Sequence, residues 1–207
     1  MVFAVAVVAV FLVVVGRGPQ APVSGECVAE PGAEQQDVDV DDSPEAAWEH
    51  EPGQEFTVYF ATGGLPARYA GFVGQGAGLW SHSPCLQAVA VAECPEGERC
   101  SEVVAAESRR GRGGSTDGES QGRDRGGVRY GNTIRLYTDV LDRESDNGAL
   151  ATVVHEMGHA LGLVHRNDRG SVMNAVTDDN TDPMPDAVDF ANLTAIYGAP
   201  ADSAVRP

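Results

Sequence analysis

The stretch His155–His165 (HEMGHALGLVH) carries the strongest structural signal in this sequence. Residues four positions apart share one face of an α-helix, so His155 and His159 can direct ring nitrogens at the same metal ion. Gly162 can end the helix and reverse the chain, which brings His165 back as a third ligand. Three neutral nitrogen ligands that leave one position open are typical of a catalytic zinc site rather than a structural one.

Glu156 directly follows the first histidine of this stretch. A carboxylate at that position can accept a proton from a water molecule at the metal. A shorter match, with only His155, Glu156 and His159, would leave ordinary helix histidines as a serious alternative. Because Gly162 and His165 also stand at the required offsets, we predict Zn²⁺ ligands at His155, His159 and His165 and a catalytic base at Glu156.

The motif resembles the long zinc signature of the metzincin metallopeptidases. Ser171–Asn174 (SVMN) resembles the Met-turn of that family, in which Met173 would lie beneath the metal as a hydrophobic floor, not as a ligand. Phe190–Gly198 (FANLTAIYG) is similar to the closing helix of matrixin-like domains. The resemblance covers about residues 54–198. It implies an α/β (α+β) fold, with a twisted mixed sheet, an active-site helix, a Met-turn and a C-terminal helix.

Three positions bear on the branch of the family. Arg166, after the third histidine, matches none of the familiar branches, and Ala175 occupies a position where astacins and serralysins carry a tyrosine metal ligand. Snapalysins usually place aspartate at the third ligand position, whereas this chain has His165. The chain is therefore interpreted as matrixin-like, with a snapalysin-like enzyme as the second choice.

The resemblance implies a zinc endopeptidase that acts on polypeptides. By analogy, the substrate would lie extended along an edge strand near Glu102–Ala106, and the loop 175–188 would wall the pocket for the side chain after the cleaved bond. Two alternatives remain open at this point. One is a secreted zinc-binding module without catalysis, and the other is a zinc hydrolase of a non-protein amide.

The composition is strongly acidic, with a net charge of -17 and 14 basic residues, all of them arginine. Such a charge argues against nucleic acid as a partner. An acidic surface without lysine is typical of salt-adapted proteins, which favours a halophilic source, although codon bias would also remove lysine. We also predict a monomer.

The length fits one catalytic domain with extensions, which we place at 54–200. Met1–Val15 is continuously apolar and shorter than a membrane span, so residues 1–18 are predicted to be a signal peptide or an N-terminal anchor. Both predict a secreted or externally displayed domain, and contact with a membrane only if the segment is retained. Residues 19–53 are acidic and poor in large apolar side chains, which predicts a disordered linker or short pro-segment before the domain, and 201–207 form a tail.

The four cysteines allow three disulfide pairings in an exported chain. Cys94 and Cys100 flank a turn-like stretch, so a short bridge between them is favoured. Cys27 would then pair with Cys85 and tie the N-terminal segment to the domain.

Periodicity and turn signals predict the remaining elements. Strands are expected at Phe56–Ala61, Leu86–Ala92, Glu102–Ala106 and Thr133–Thr138, and helices at Pro66–Trp80, at the zinc motif with Asp146 or Asn147 as its cap, and at Ala187–Tyr197. Residues 107–131 lack apolar periodicity, which predicts a long surface loop. Asp117 and Asp124 in this loop are candidate Ca²⁺ ligands, although a solvated loop is the preferred interpretation.

Overall fold

The computed structural model describes residues 26–42, 45–108 and 117–200. The apolar segment Met1–Val15, the tail 201–207 and residues 109–116 of the predicted loop lie outside the described residues. No helix within the described ranges is long and apolar enough to cross a membrane.

The described residues form eight strands and four helices. The strands are β1 (Val28–Ala29), β2 (Ala47–Trp48), β3 (Phe56–Ala61), β4 (Leu86–Val91), β5 (Cys100–Ala106), β6 (Gly118–Arg125), β7 (Val128–Tyr137) and β8 (Ala199–Pro200). The helices are α1 (Ala67–Trp80), α2 (Thr138–Leu141), α3 (Asp146–Ala160) and α4 (Ala187–Tyr197).

The main sheet is mixed, which confirms the predicted α/β class. Strands β4, β3, β5 and β7 are parallel neighbours in that order, and β2 continues the parallel pairing at the start of β7. On its other side β7 pairs with β6 in an antiparallel ladder. A second, two-stranded sheet joins β1 to β8.

Alternating burial explains why these segments form strands. Val58 and Phe60 in β3 are buried, and so are Ile134 and Leu136 in β7, two positions apart in each strand. Because side chains alternate between the two faces of a sheet, this pattern places one face of each strand in the hydrophobic core.

Close packing between α1 and α3 completes the core. The indole N–H of Trp80, at the end of α1, donates to the Val154 carbonyl of α3 at 3.0 Å. Gly76 permits the approach, because a Cβ at that position would lie 2.7 Å from the sulfur of Met157. The glycine-rich composition of α1 therefore serves helix packing at this position.

The predicted surface loop at 107–131 is wrong from residue 118 onward. Residues 118–137 form the β6–β7 hairpin instead, which turns at Gly126 and Gly127, both with positive φ. Most side chains of β6 are exposed, so the strand lacks apolar periodicity. This strand is defined by its backbone pairing with β7, which cannot be recognised from its side chains.

The predicted substrate edge near Glu102–Ala106 lies on β5, which is an inner strand of the sheet and not an edge strand. β5 pairs with β7 from Ser101 to Ala106 and with β3 from Cys100 to Glu102. The edge strand on the α3 side of the sheet is β6. The misplaced hairpin is the reason for the error, since β6 was absent from the predicted set of strands.

The segment predicted to be a disordered linker contacts the domain at several of the residues described between 26 and 53. Cys27 is bonded to Cys85, and β1 pairs with β8 near the C-terminus. Trp48 is 2% exposed, and its indole N–H donates to the Ala160 carbonyl at 2.8 Å. Composition does not reveal such anchoring, because a few long-range contacts hold a segment that is otherwise polar.

All four cysteines are paired, as Cys27–Cys85 and Cys94–Cys100. The favoured pairing is therefore the one in the structure. A smaller correction concerns α3, whose N-cap is Ser145, not Asp146 or Asn147. The Ser145 hydroxyl accepts the Gly148 N–H at 3.2 Å, a contact that typically contributes about 1 kcal/mol.

Candidate active site

Helix α3 places two histidines one turn apart at its C-terminal end. His155 and His159 lie four residues apart and are 6% and 9% exposed. The helix ends at Ala160, and Gly162 adopts a φ of 96°, a conformation that disfavours residues with a Cβ. The chain thereby reverses and returns His165 to the other two histidines.

The three rings converge through their Nε2 atoms. The His159 Nε2 lies 3.1 Å from the Nε2 of His155 and 3.1 Å from that of His165. Within the described ranges this trio is the group of three metal-binding side chains whose ligand atoms all lie within 4.8 Å of one another. Three imidazole nitrogens facing one point fit Zn²⁺, which prefers nitrogen and sulfur ligands.

Each ring has a partner for its other nitrogen. Nδ1 of His155 lies 2.8 Å from the Val172 carbonyl, and Nδ1 of His159 lies 2.8 Å from the Leu163 carbonyl. A carbonyl oxygen only accepts, so each Nδ1 carries the proton and each Nε2 presents its lone pair. Hydrogen bonding therefore sets these two rings in the tautomer that a metal requires.

The two helix histidines are held neutral. Burial, reinforced by the charge of His159, lowers the pKa of His155 well below its ordinary value. Burial, reinforced by the charge of His165, lowers the pKa of His159 to about 4. Because only the neutral ring can bind a metal, both ligands are available throughout the physiological pH range.

Glu156 directly follows His155 on α3 and is 6% exposed. Burial, with the nearby charges of Glu119, Glu45 and Asp117, raises its pKa to about 8. A bound dication would counter this shift, because it favours the carboxylate form. Gly118 on β6 gives Glu156 its space, since a Cβ there would lie 2.8 Å from the Glu156 Cγ. The edge strand and the candidate base are thus in direct contact.

Met173 packs under α3 in a tight turn. Its side chain is fully buried, and its sulfur contacts Gly158 so closely that the helix has no room for a Cβ there. Ser171 shapes the turn, because its hydroxyl accepts the Met173 N–H at 3.0 Å and its carbonyl accepts the Asn174 N–H at 3.1 Å. Ala175 follows as an exposed residue with no ligand atom in its side chain.

Arg166, next to the third histidine, is buried in a cluster of carboxylates that the sequence did not reveal. Its guanidinium lies 2.8 Å from Asp186, 2.8 Å from Asp189 and 3.3 Å from Asp37. Burial alone would lower the pKa of Arg166, but the hydrogen bonds to Asp186 and Asp189 outweigh it and raise the pKa. The residue therefore joins the loop after α3 to the start of α4 and to the N-terminal segment.

Arg129 is a second buried arginine that sequence patterns missed. Its guanidinium donates to the His159 carbonyl at 2.6 Å and to the Ala160 carbonyl at 3.2 Å, at the C-terminus of α3. It also pairs with Asp124 at 3.2 Å and with Glu45. A cation at a helix C-terminus is favoured by the helix dipole and satisfies carbonyls that lack an intrahelical partner. Arg129 thereby links the hairpin to the helix that carries the site.

The two candidate Ca²⁺ ligands do not come together. Asp124, near the end of β6, pairs with Arg129. Asp117, which directly precedes β6, hydrogen-bonds to Glu144. Burial, and then the charge of Asp117, raises the pKa of Glu144 to about 7, so these two carboxyl groups share a proton near neutral pH. The structure offers no support for calcium at either aspartate.

A polar cavity of about 720 Å³ lies beside the Met-turn. Its walls come from the loop after His165 and from the loop after Met173, and they include Arg169, Ala175 and Asp178. This cavity borders the predicted pocket loop 175–188. The three histidines are not among the residues that line it, so its size alone does not identify it as a substrate site.

The fold and the trio of histidines with an adjacent glutamate define a zinc metallopeptidase of the metzincin class. Comparison with protein families agrees, since the matrixin family model matches residues 41–198. The chain belongs to the matrixin family and is a zinc metalloendopeptidase. A search among curated proteins finds no significant match. The match begins at residue 41, so it includes part of the segment predicted to precede the domain.

Proposed function

We propose that this chain is a secreted zinc endopeptidase in which His155, His159 and His165 hold the metal and Glu156 is the general base. The observation that carries the proposal is the convergence of three Nε2 atoms, with a buried glutamate directly after the first of these histidines. When bound, zinc supplies Lewis acidity to the scissile carbonyl and to the attacking water.

Glu156 handles the protons of the reaction. In its carboxylate form it accepts a proton from the attacking water and later gives that proton to the leaving amine. The high pKa of Glu156 suits the second role, because a carboxyl group that readily regains a proton is also an effective acid. Contact with Gly118 limits the positions that the carboxyl group can take.

The substrate is proposed to pair with β6 as an additional strand. β6 has β7 on one side, and its first residue, Gly118, contacts Glu156. An extended peptide can add to such an edge through backbone hydrogen bonds, which give affinity without demanding a particular side chain. This arrangement would lead the scissile bond past the candidate base.

Export is supported by the two disulfides and by the apolar segment Met1–Val15. The acidic, lysine-free composition supports a salt-adapted enzyme that works as a monomer. Activity measured from dilute buffer to molar salt tests the adaptation. A maximum at low salt with loss at molar salt would count against it.

The proposal is tested with Glu156→Gln, assayed on a quenched-fluorescence peptide library. We expect kcat to fall by about a thousandfold, because general base catalysis typically contributes factors of about 10²–10⁴. Zinc content should stay at one ion per chain. Glu96→Gln is the matched control, because Glu96 is an exposed carboxylate in the turn between β4 and β5, outside both β6 and α3. Near-full hydrolysis by Glu156→Gln would overturn the assignment of the base.

A further inference from the structure

The three candidate zinc ligands do not have equivalent partners. His155 and His159 direct Nδ1 at backbone carbonyls, whereas Nδ1 of His165 lies 3.2 Å from a carboxylate oxygen of Asp42. The same oxygen accepts the backbone N–H of His165 at 2.9 Å. Asp42 thus contacts both the ring and the main chain of one ligand, from the side of the ring opposite the converging Nε2 atoms.

The segment that carries Asp42 is docked against the loop after α3. We call residues 36–42 the N-terminal strap. Its backbone contacts run along that loop: the Asp39 N–H donates to the His165 carbonyl at 2.8 Å, and the Asn167 N–H donates to the Asp37 carbonyl at 3.0 Å. The strap therefore runs alongside His165 and Asn167 and pairs with them through its backbone.

Side chains fasten the same segment at its start. Asp37 pairs with the buried guanidinium of Arg166, and the Gln36 N–H donates to the Asn192 side chain of α4 at 2.7 Å. The Asn192 amide returns a hydrogen bond to the Gln36 carbonyl at 3.1 Å. With both its backbone and its side chains engaged, the strap can hold a carboxylate in a defined position.

We propose that Asp42 is a positioning residue of the zinc centre, which binds the Nδ1 proton of His165 and so orients the third ligand. This inference rests on the proposed zinc site. His165 is the ligand that most needs such help, because it stands on a loop and is 27% exposed at its side chain.

The chemistry of the pair explains what Asp42 adds. A carboxylate that accepts the Nδ1 proton keeps Nε2 unprotonated, and its negative charge makes the ring a stronger donor than a backbone carbonyl does. Loss of such a partner typically weakens metal binding by about 10–100-fold. The N-terminal segment therefore belongs to the metal centre rather than to a detachable linker.

Zinc affinity tests the proposal directly. The dissociation constant of zinc would be measured by chelator competition for the full chain and for Asp42→Ala, Asp42→Asn and Asp41→Asn. We expect Asp42→Ala to weaken zinc binding by about 10–100-fold. Asp42→Asn should recover most of that loss, because its amide oxygen can still accept the Nδ1 proton. Asp41→Asn is the matched control, since it removes the same charge from an exposed neighbour.

A melting curve of each chelated protein separates positioning from folding, and it should be unchanged in Asp42→Asn. An effect of Asp41→Asn as large as that of Asp42→Ala would overturn the proposal, because it would show a general effect of charge. So would zinc affinity within twofold of wild type in Asp42→Ala. Neither result depends on peptide hydrolysis, so a failure of the proposed endopeptidase activity would be recognised separately.

Discussion

The proposed zinc centre is built from two regions that are supported in different ways. The helix half consists of His155, Glu156 and His159 on α3, and its geometry follows from the helix itself. The loop half consists of His165 and Arg166, and it is held by the strap and by α4. The first half is local in sequence, whereas the second depends on residues more than a hundred positions earlier in the chain.

This difference predicts which half of the site should respond to substitutions elsewhere in the molecule. A helix keeps its own residues in register, so the positions of His155 and His159 should tolerate changes elsewhere in the molecule. The loop half has no such internal order, so loss of a distant contact should reach His165. Three predictions can break or sharpen this comparison, and they follow in order of expected effect.

Arg166→Met should have the largest effect, at the centre of the loop half. Removing one partner of a buried ion pair typically costs about 3–5 kcal/mol, and Asp189, which is fully buried, would lose its cation. Urea unfolding measures the loss, with Arg169→Met as an exposed control in the same loop. Zinc affinity should fall as well. A destabilisation below about 1 kcal/mol would show that the loop half does not depend on this cluster.

The two disulfides should differ in how much each contributes to the free energy of unfolding. Their sequence separations are 58 and 6 residues, for which chain entropy predicts about 4 kcal/mol for Cys27–Cys85 and about 2 kcal/mol for Cys94–Cys100. Paired Cys→Ser variants compared by thermal unfolding give both values.

The same variants report on the metal centre. Only loss of Cys27–Cys85 should weaken zinc binding, because that bond anchors the segment that leads to the strap. Equal zinc affinity in both double variants would contradict the long-range support of the loop half.

Gly118→Ala should have the smallest effect, and it acts on the helix half. The added Cβ would press on the Glu156 side chain, which must shift by a fraction of an ångström. Misplacing a catalytic group typically costs about tenfold to a hundredfold in rate. Zinc affinity should remain that of the wild type, and kcat on a peptide substrate measures the rest. Gly74→Ala on α1 is the control, because its added methyl faces open space. Unchanged kcat would mean that β6 does not constrain the base.

The helix half could be predicted from sequence because its pattern is periodic. Local preferences of the chain determine three of its features. These are the helical spacing of His155 and His159, the positive φ of Gly162, and the final helix. The resemblance carried by the zinc motif, the Met-turn and the closing helix also predicted the mixed sheet and the family.

What escaped prediction depends on partners remote in sequence. β6 is polar on both faces and is defined by its pairing with β7. In the sequence, Arg129 and Arg166 resemble ordinary surface arginines. The carboxylates and carbonyls that bind them in the folded protein come from other segments of the chain. Asp42 is one carboxylate among many in an acidic segment, and nothing in its neighbours distinguishes it from Asp41. A single sequence does not show which of these polar residues become buried.

The bond between Cys27 and Cys85 also affects how any processing of this enzyme would be observed. A single cut in the chain between these two residues would leave both pieces covalently joined. On a gel without reductant such a nicked molecule would migrate as one species, and its mass would grow only by that of one water. Reductant would be needed to release the shorter piece. Maturation studies on this protein should therefore compare reduced and unreduced samples.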